Sequence, residues 1–206
     1  MNFISRYLLP RNVDFNAALL AQVEICESMI HDLYKACMEN NISLLDTVSD
    51  SAGRERALKE DNMALLLNVF IAPYDKESIY RMITQLDWVA LSAKHFRLET
   101  QVYQLHSLSE YEEILAMLSK MVTELKDGFL KLSDKRLEAL AVNSSGIHDR
   151  YDEIVKLCAE ATGRLMTQDD IKHIIRHKDM LLQLKEIAKR IHIAANTLED
   201  MAIKVA

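Results

Sequence analysis

Residues 70–80 read FIAPYDKESIY and combine a signal that ends a helix with a signal that starts one. Pro73 has no backbone N–H donor, and its ring disfavours helical conformation in the preceding residue. Asp75 follows two positions later, where its carboxylate can accept hydrogen bonds from the free amides of a new helix. This stretch therefore predicts two helices joined by a short loop.

The composition extends the same interpretation to the whole chain. Its 206 residues are half apolar but include only four Gly and two Pro, where average usage gives roughly fourteen and ten. Turns between strands depend on these residues, so their scarcity favours a few long helices. A chain of this length buries about 70% of its unfolded surface, which is enough for a sizeable core. We therefore predict an all-α fold with residues 1–206 as a single helical domain.

Charge and hydropathy exclude several classes of partner. The net charge of −6 offers no basic surface for nucleic acid or for an anionic membrane. Residues 1–10 lack the roughly 7–15-residue apolar core of a signal peptide. Apolar runs such as residues 63–67 are far shorter than the ~18 residues of a spanning helix. The sequence thus predicts a cytoplasmic protein with no membrane insertion.

Apolar residues spaced three and four apart predict six helices. In the second helix this spacing places Leu58 and Leu65 on the buried face and Glu55 and Lys59 on a polar face. The fifth helix is expected to be interrupted or kinked at residues 143–146. Residues 107–112 and 167–170 resemble capping boxes. The predicted starting points are Asn12 or Asp14, Leu44 or Asp46, Asp75, Ser107, Lys135 or His148, and Thr167.

A weak internal repeat divides the chain into halves at 12–103 and 107–206. In each half a helix ends in an apolar pair, an acidic cap follows, and a long amphipathic helix comes next. Setting Ile79 against Met180 also aligns Ile83 with Leu184. Duplication and ordinary helical periodicity both explain this match. Either way, the pattern predicts antiparallel helices packed as one or two bundles.

Several segments resemble the PhoU-like accessory proteins of Pit-type phosphate transporters. In that family the segment that corresponds to residues 70–79 reads close to FITPFDREDI. This chain differs from it mildly at Ala72, Tyr74, Lys76 and Ser78. The resemblance implies six long antiparallel helices in two similar three-helix units. The matching positions, in chain order, are Phe3, 8–10, Phe15, 70–80, Leu86, Asp87, Ile147, His148, 195–199 and Lys204.

The resemblance also implies a non-enzymatic regulator of phosphate transport. Its partner would be a phosphate permease or a phosphate-signalling protein, and that partner would hold it at the inner membrane. Apart from the resemblance, the long helices exceed what three-helix units of this size can cover, which predicts a homo-oligomer. The alternative is a helical scaffold or adaptor that keeps the fold without phosphate regulation. A metal-dependent enzyme is a third, weaker alternative.

Members of this family hold iron or zinc with carboxylates one helical turn apart, joined by acids from the adjacent long helix. Asp87 is the main acid retained in this chain. We therefore predict no metal-ligating residue at these places. The expected acids are replaced, in chain order, by Ala52, Arg56, Trp88, Tyr151, Val155, Lys189 and the pair His192 and Ile193.

Two other groups have the spacing of metal ligands. Asp149 and Glu153 stand one turn apart, as do His148 and Asp152, and His192 is a candidate to approach them. A solvated charged face explains that segment better.

His173 and His177 also share a helix face, one turn apart. Lys172, Arg176 and Lys178 surround them and would repel a cation, so an exposed or interface role is favoured.

The sequence contains no motif of a known catalytic class. It has no Gly-rich phosphate loop, no HExxH and no GxSxG. Cys26, Cys37 and Cys158 lack metal or disulfide spacing and lie at apolar helical positions, so they are expected in the core. Trp88 is expected to pack in the core or at an interface. We predict no catalytic residue, no cofactor-binding residue and no enzyme activity.

Overall fold

The computed structural model describes residues 14–206 and contains six α-helices within them. The matches at Phe3 and 8–10, and the interpretation of residues 1–10, lie outside the described residues. Short 3-10 turns at Ile42–Leu45 and Ser109–Tyr111 precede the second and the fourth of these helices. The helices are α1 Phe15–Met38, α2 Asp46–Asn68, α3 Lys76–Val102, α4 Glu112–Ser133, α5 Leu137–Leu165 and α6 Ile171–Val205.

The helices pack as two three-helix units that share one core. Helices α1, α2 and α3 contact one another, as do α4, α5 and α6. The units meet where α1 packs on α4 and α3 packs on α6. Helices α3 and α6 run antiparallel, because Ser78 at the start of α3 contacts Asp200 near the end of α6, and Tyr103 after α3 contacts Asp179 near the start of α6. Buried apolar residues from all six helices form one continuous cluster.

The segment at residues 70–80 separates α2 from α3, as its sequence predicts. Helix α2 ends at Asn68, and the Asp75 carboxylate accepts a hydrogen bond from the Ser78 amide at 3.1 Å. The Lys76 ammonium donates to the carbonyl oxygen of Val69 at 2.6 Å and so closes the loop. Asp14 caps α1 in the same way, accepting from the Ala17 amide at 3.0 Å.

The predicted capping boxes are wrong in detail. Helix α4 begins at Glu112 without a side-chain cap, because Tyr111 occupies the N-cap position, and Ser107 bonds to the amide of Ser109 instead. At α6, Asp170 alone caps the helix, accepting from two backbone amides at 3.0 and 3.1 Å.

The predicted break in α5 is also wrong, since the helix continues through residues 143–146. Polar residues here would compete with their own backbone if they lacked other partners. Asn143 instead donates to the Glu124 carbonyl of α4 at 3.0 Å and accepts from Lys131 at 2.6 Å.

The predicted buried face of α2 is wrong. Leu65 is exposed and Leu58 only half-buried, whereas Glu55 and Asn62 are buried with Val48, Ser51 and Leu66. Apolar periodicity fails here because α1 supplies polar partners to this face. In α3, the apolar side chain of Val102 at the end of the helix is likewise exposed. Within residues 14–206, no helix is both long and apolar enough to cross a bilayer.

Candidate functional site

A buried polar cluster lies between the first three helices, formed by Gln22, Glu55, Lys59, Asn62 and Asp87; we call it the α1–α3 cluster. The Gln22 amide donates to Glu55 Oε1 at 2.7 Å and also to the Ile83 carbonyl at 2.9 Å. Asn62 donates in turn to Gln22 Oε1 at 3.1 Å. This network satisfies side chains that an apolar core would leave unpaired.

Glu55 is the buried acid of the α1–α3 cluster, with 1% of its surface exposed. Burial raises the pKa of its carboxyl from an ordinary value of 4.5 to about 7, and the nearby charge of Asp87 adds to the rise. The Gln22 hydrogen bond and the Lys59 charge act in the opposite direction. Glu55 therefore changes its protonation state near neutral pH.

The α1–α3 cluster does not fit the carboxylate-bound metals that the resemblance implies. Asp87 is the retained acid, but its Oδ2 atom accepts a hydrogen bond from the Lys59 ammonium at 2.5 Å. A lysine at this distance already supplies the positive charge that a metal ion would bring, and it repels such an ion. Ala52 and Arg56, which gap-free counting placed at the family's positions, take no part in the cluster. Counting positions back from Phe70 without gaps therefore did not identify Glu55 as the buried acid of this helix.

A second polar group lies between α5 and α6, where His148 and His192 meet. Their Nδ1 atoms lie 2.9 Å apart, so one ring donates a hydrogen bond to the other. His148 Nε2 lies 3.6 Å from Glu199 Oε1, and the Tyr151 ring stacks on His192 with ring centres 4.6 Å apart. The suggested approach of His192 to His148 is therefore present in the structure.

Burial lowers the pKa of His192, and the charge of His148 adds to the effect.

The other proposed ligand pair, Asp149 and Glu153, does not form a site. Asp149 is exposed, and Glu153 pairs with Lys156 at 3.1 Å on the same helix.

A third group lies where α6 begins and joins Glu110 to His173 and His177. One ligand atom from each of the three side chains lies within 4.8 Å of the other two. It is the one group of three such ligand residues found in residues 14–206. Sequence spacing identified the two histidines but missed Glu110, because this glutamate comes from the 3-10 turn before α4 and only the fold brings it close.

The cysteines and Trp88 occupy contrasting environments. Cys26, Cys37 and Cys158 are free and buried, as predicted. Burial raises the pKa of all three thiols, that of Cys158 to about 11. Trp88 is partly exposed, with the Arg190 guanidinium 4.6 Å from its ring centre. That cation–π contact joins α3 to α6 at the surface.

The end of α2 and the loop that follows it form an exposed apolar tip, which we define by Leu67, Phe70 and Ile71. Phe70 is 85% exposed and Ile71 is 71% exposed. Nearby, Asp200 at the end of α6 accepts from Ser78 and Arg81 of α3, and Lys204 binds both Asp75 and Asp200. These ion pairs fix the start of α3, and the tip extends from that rigid base.

Solved structures with the same architecture are PhoU-like proteins. A PhoU-like protein from Shewanella oneidensis MR-1 superposes with a TM-score of 0.77 at 13% identity, covering 93% of this chain and all of that one. A second PhoU-like protein from the same organism, one named for phosphate regulation, gives 0.75 at 13% identity over the same shares. PhoU from Pseudomonas aeruginosa gives 0.60 at 18% identity, covering 93% of each chain.

The sequence significantly matches no protein-family model and no curated protein. The likeness is thus one of three-dimensional structure and covers nearly the whole chain. The fold implied by the resemblance is confirmed: this chain has the six-helix architecture of PhoU-like proteins.

Proposed function

We propose that this chain is a non-enzymatic regulator of inorganic phosphate transport that binds a Pit-type permease or a phosphate-signalling protein. The observation that carries the proposal is the agreement in fold over 93% of the chain with proteins named PhoU-like, one of them named for phosphate regulation. Sequence resemblance in residues 70–80 points to the same family independently. We place the protein in the cytoplasm, held at the inner membrane by its partner.

The described side chains support binding rather than catalysis. The three thiols are buried with raised pKa values, which makes them poor nucleophiles. Asp87 is neutralised by Lys59, and Glu55 is closed off from solvent. The chain's distinctive exposed features are apolar, which favours recognition of another protein.

We propose the apolar tip of Leu67, Phe70 and Ile71 as the contact with the permease. An exposed Phe beside an exposed Ile provides an anchor of the kind that dominates binding energy at protein interfaces. The loop is held at its base by the Lys76 bond to the Val69 carbonyl, so binding would order few additional residues.

We also propose self-association through α6. Ile171, Ile175 and Leu182 are exposed and recur at helical spacing, so they form an apolar stripe on the first half of the helix. A second copy of the chain would cover this stripe. The shared core of the two units supports the proposal that the described residues, 14–206, form one domain.

A helical scaffold without phosphate regulation is the second candidate, and Lys59 favours it. Its ammonium group lies beside Asp87, where a metal ion would otherwise bind. Metal binding at Asp87 therefore cannot serve as a regulatory signal. Phosphate uptake in a strain lacking the gene separates the two functions. Regulation predicts altered uptake that the wild-type gene restores, whereas unchanged uptake at both low and high phosphate would favour the scaffold.

A further inference from the structure

The start of α6 brings two imidazoles and a carboxylate together from separate parts of the chain. His173 and His177 lie one turn apart, with ring centres 4.0 Å apart. Glu110 reaches them from the 3-10 turn before α4, and its Oε2 atom lies 3.1 Å from His177 Nδ1. Helices and turns that fold from distant sequence therefore converge on one point.

We propose that Glu110, His173 and His177 form a binding site for one divalent transition-metal ion, zinc foremost. Two imidazoles with one carboxylate are a donor set that Zn²⁺ accepts, with a fourth position open to water. Mg²⁺ and Ca²⁺ prefer oxygen ligands and fit this set poorly. The site lies apart from the α1–α3 cluster and from the His148 and His192 pair, and it does not depend on the proposed function.

The spacing of the three side chains suits a single ion. Ligand atoms about 2.0–2.1 Å from a tetrahedral ion are separated from one another by about 3.3 Å. One ligand atom from each of the three side chains lies within 4.8 Å of the other two, which is somewhat wider than this spacing. Closing the remaining gap requires rotation of Glu110, which is exposed, and of His173, which is only half-buried.

The central ligand is held in place by its surroundings. His177 is 8% exposed, and its Nδ1 atom lies 2.5 Å from the hydroxyl of the buried Tyr111. Tyr111 packs edge-on against Phe96, with ring centres 6.4 Å apart, so its hydroxyl is fixed. Because Tyr111 and Glu110 both contact Nδ1, the nitrogen left for the ion is Nε2. A buried partner on the nitrogen that does not bind the metal is a common support of metal sites.

An adjoining cavity of about 260 Å³ leaves room for a water ligand. Glu110 and His177 line it together with Gln168 and Arg164. The cavity opens to solvent, so a metal-bound water would exchange with bulk water.

The basic residues near the site do not prevent binding. Lys172, Arg176 and Lys178, from which repulsion was expected, are exposed, so solvent and salt screen their charges. Arg164 beside the cavity is exposed as well. Glu110 contributes a negative charge inside the ligand set, where it acts at the shortest distance.

Zinc titration of the untagged full-length chain by calorimetry, after removal of metals with EDTA, tests the proposal. We expect one Zn²⁺ per chain, and Glu110→Gln and His173→Ala should each weaken binding by at least about tenfold. His106→Ala, an exposed histidine elsewhere, is the matched control and should bind as wild type does. His177→Ala should abolish binding, and the two exposed ligands decide the matter where that variant does not fold.

Three results would overturn the site. One is the absence of zinc binding by the wild-type chain. Another is an affinity unchanged in both Glu110→Gln and His173→Ala. The third is binding that disappears with His192→Ala and persists in those two variants, which would place the zinc between α5 and α6.

Discussion

The Nζ atom of Lys59 lies 2.5 Å from Oδ2 of Asp87, and this ion pair neighbours the buried carboxyl group of Glu55. One buried acid, one partly exposed acid and one partly exposed ammonium therefore lie together between α2 and α3. Their mutual charges set the protonation of Glu55, because Asp87 raises its pKa and Lys59 lowers it. The lysine compensates the charge of Asp87, the acid that the family resemblance associated with metal.

Glu55→Gln should change how stability depends on pH. The pKa of Glu55 is 4.5 ordinarily and about 7 in the fold, so between these values the folded state binds more protons than the unfolded state. The contribution of Glu55 to the free energy of unfolding is therefore fully present below pH 4.5 and is lost as the pH rises through 7. Because each pKa unit corresponds to about 1.4 kcal/mol, the variant should gain on the order of 3 kcal/mol relative to wild type between pH 4.5 and 8.

Urea unfolding at each pH measures this difference, with Glu60→Gln, an exposed acid on the same helix, as the control. A constant difference between Glu55→Gln and wild type across the range would contradict the assignment.

Lys59→Met should destabilise the protein more at high pH than at low pH. At pH 8 it leaves Asp87 and an ionised Glu55 without their cation, which we expect to lower the free energy of unfolding by about 1–2 kcal/mol. Near pH 5 Glu55 is protonated and the loss should shrink. Lys35→Met removes an exposed pair with Glu39 and should change stability little at either pH. Equal losses at both pH values would argue against a shared charge cluster.

His192→Phe should protect the protein against mild acid. The pKa of His192 is lowered from 6.5, first by burial and then by the charge of His148, while Asp152 and Glu199 oppose the shift. The unfolded state therefore binds more protons, and stability from this group falls as pH drops below 6.5. The phenyl ring keeps the stacking on Tyr151 and cannot ionise. Thermal unfolding between pH 7 and 5 should show a smaller loss in the variant than in wild type and in His106→Phe. A loss of the same size in all three would reject the idea.

The paired change Ile175→Lys and Leu182→Lys should reduce self-association. Two charges on the exposed stripe of α6 would have to be desolvated in any contact that covers it. Sedimentation velocity at several concentrations should show the wild type as an oligomer and the variant shifted to monomer by at least about tenfold in dissociation constant, which equals about 1.4 kcal/mol. Ile203→Lys places a charge on exposed surface near the end of α6 and should leave the distribution unchanged. A wild-type chain that is monomeric at all concentrations would contradict self-association through α6.

The sequence predicted the helices well where apolar periodicity alone determines burial. In α4, the apolar residues spaced three and four apart from Ile114 to Leu132 are buried. The prediction failed in α2 because burial there depends on Gln22, a partner on another helix, which no local pattern reports. It failed in α5 for the same reason, since Asn143 bonds to α4.

The three-ligand group shows the same limit. His173 and His177 share a helix and are visible from spacing, but Glu110 joins them only through packing. Local spacing identifies pairs on one element, and the third member of a site comes from the tertiary fold.

Direct binding to a Pit-type phosphate permease from the same genome tests the central proposal most directly. The purified full-length chain should bind the permease in nanodiscs saturably, and Phe70→Ser with Ile71→Ser should weaken binding by at least about tenfold through loss of the buried anchor. Val142→Ser, which removes another exposed apolar side chain, should not. No binding of the wild-type chain at any phosphate concentration would contradict regulation through the permease and leave the scaffold as the better explanation.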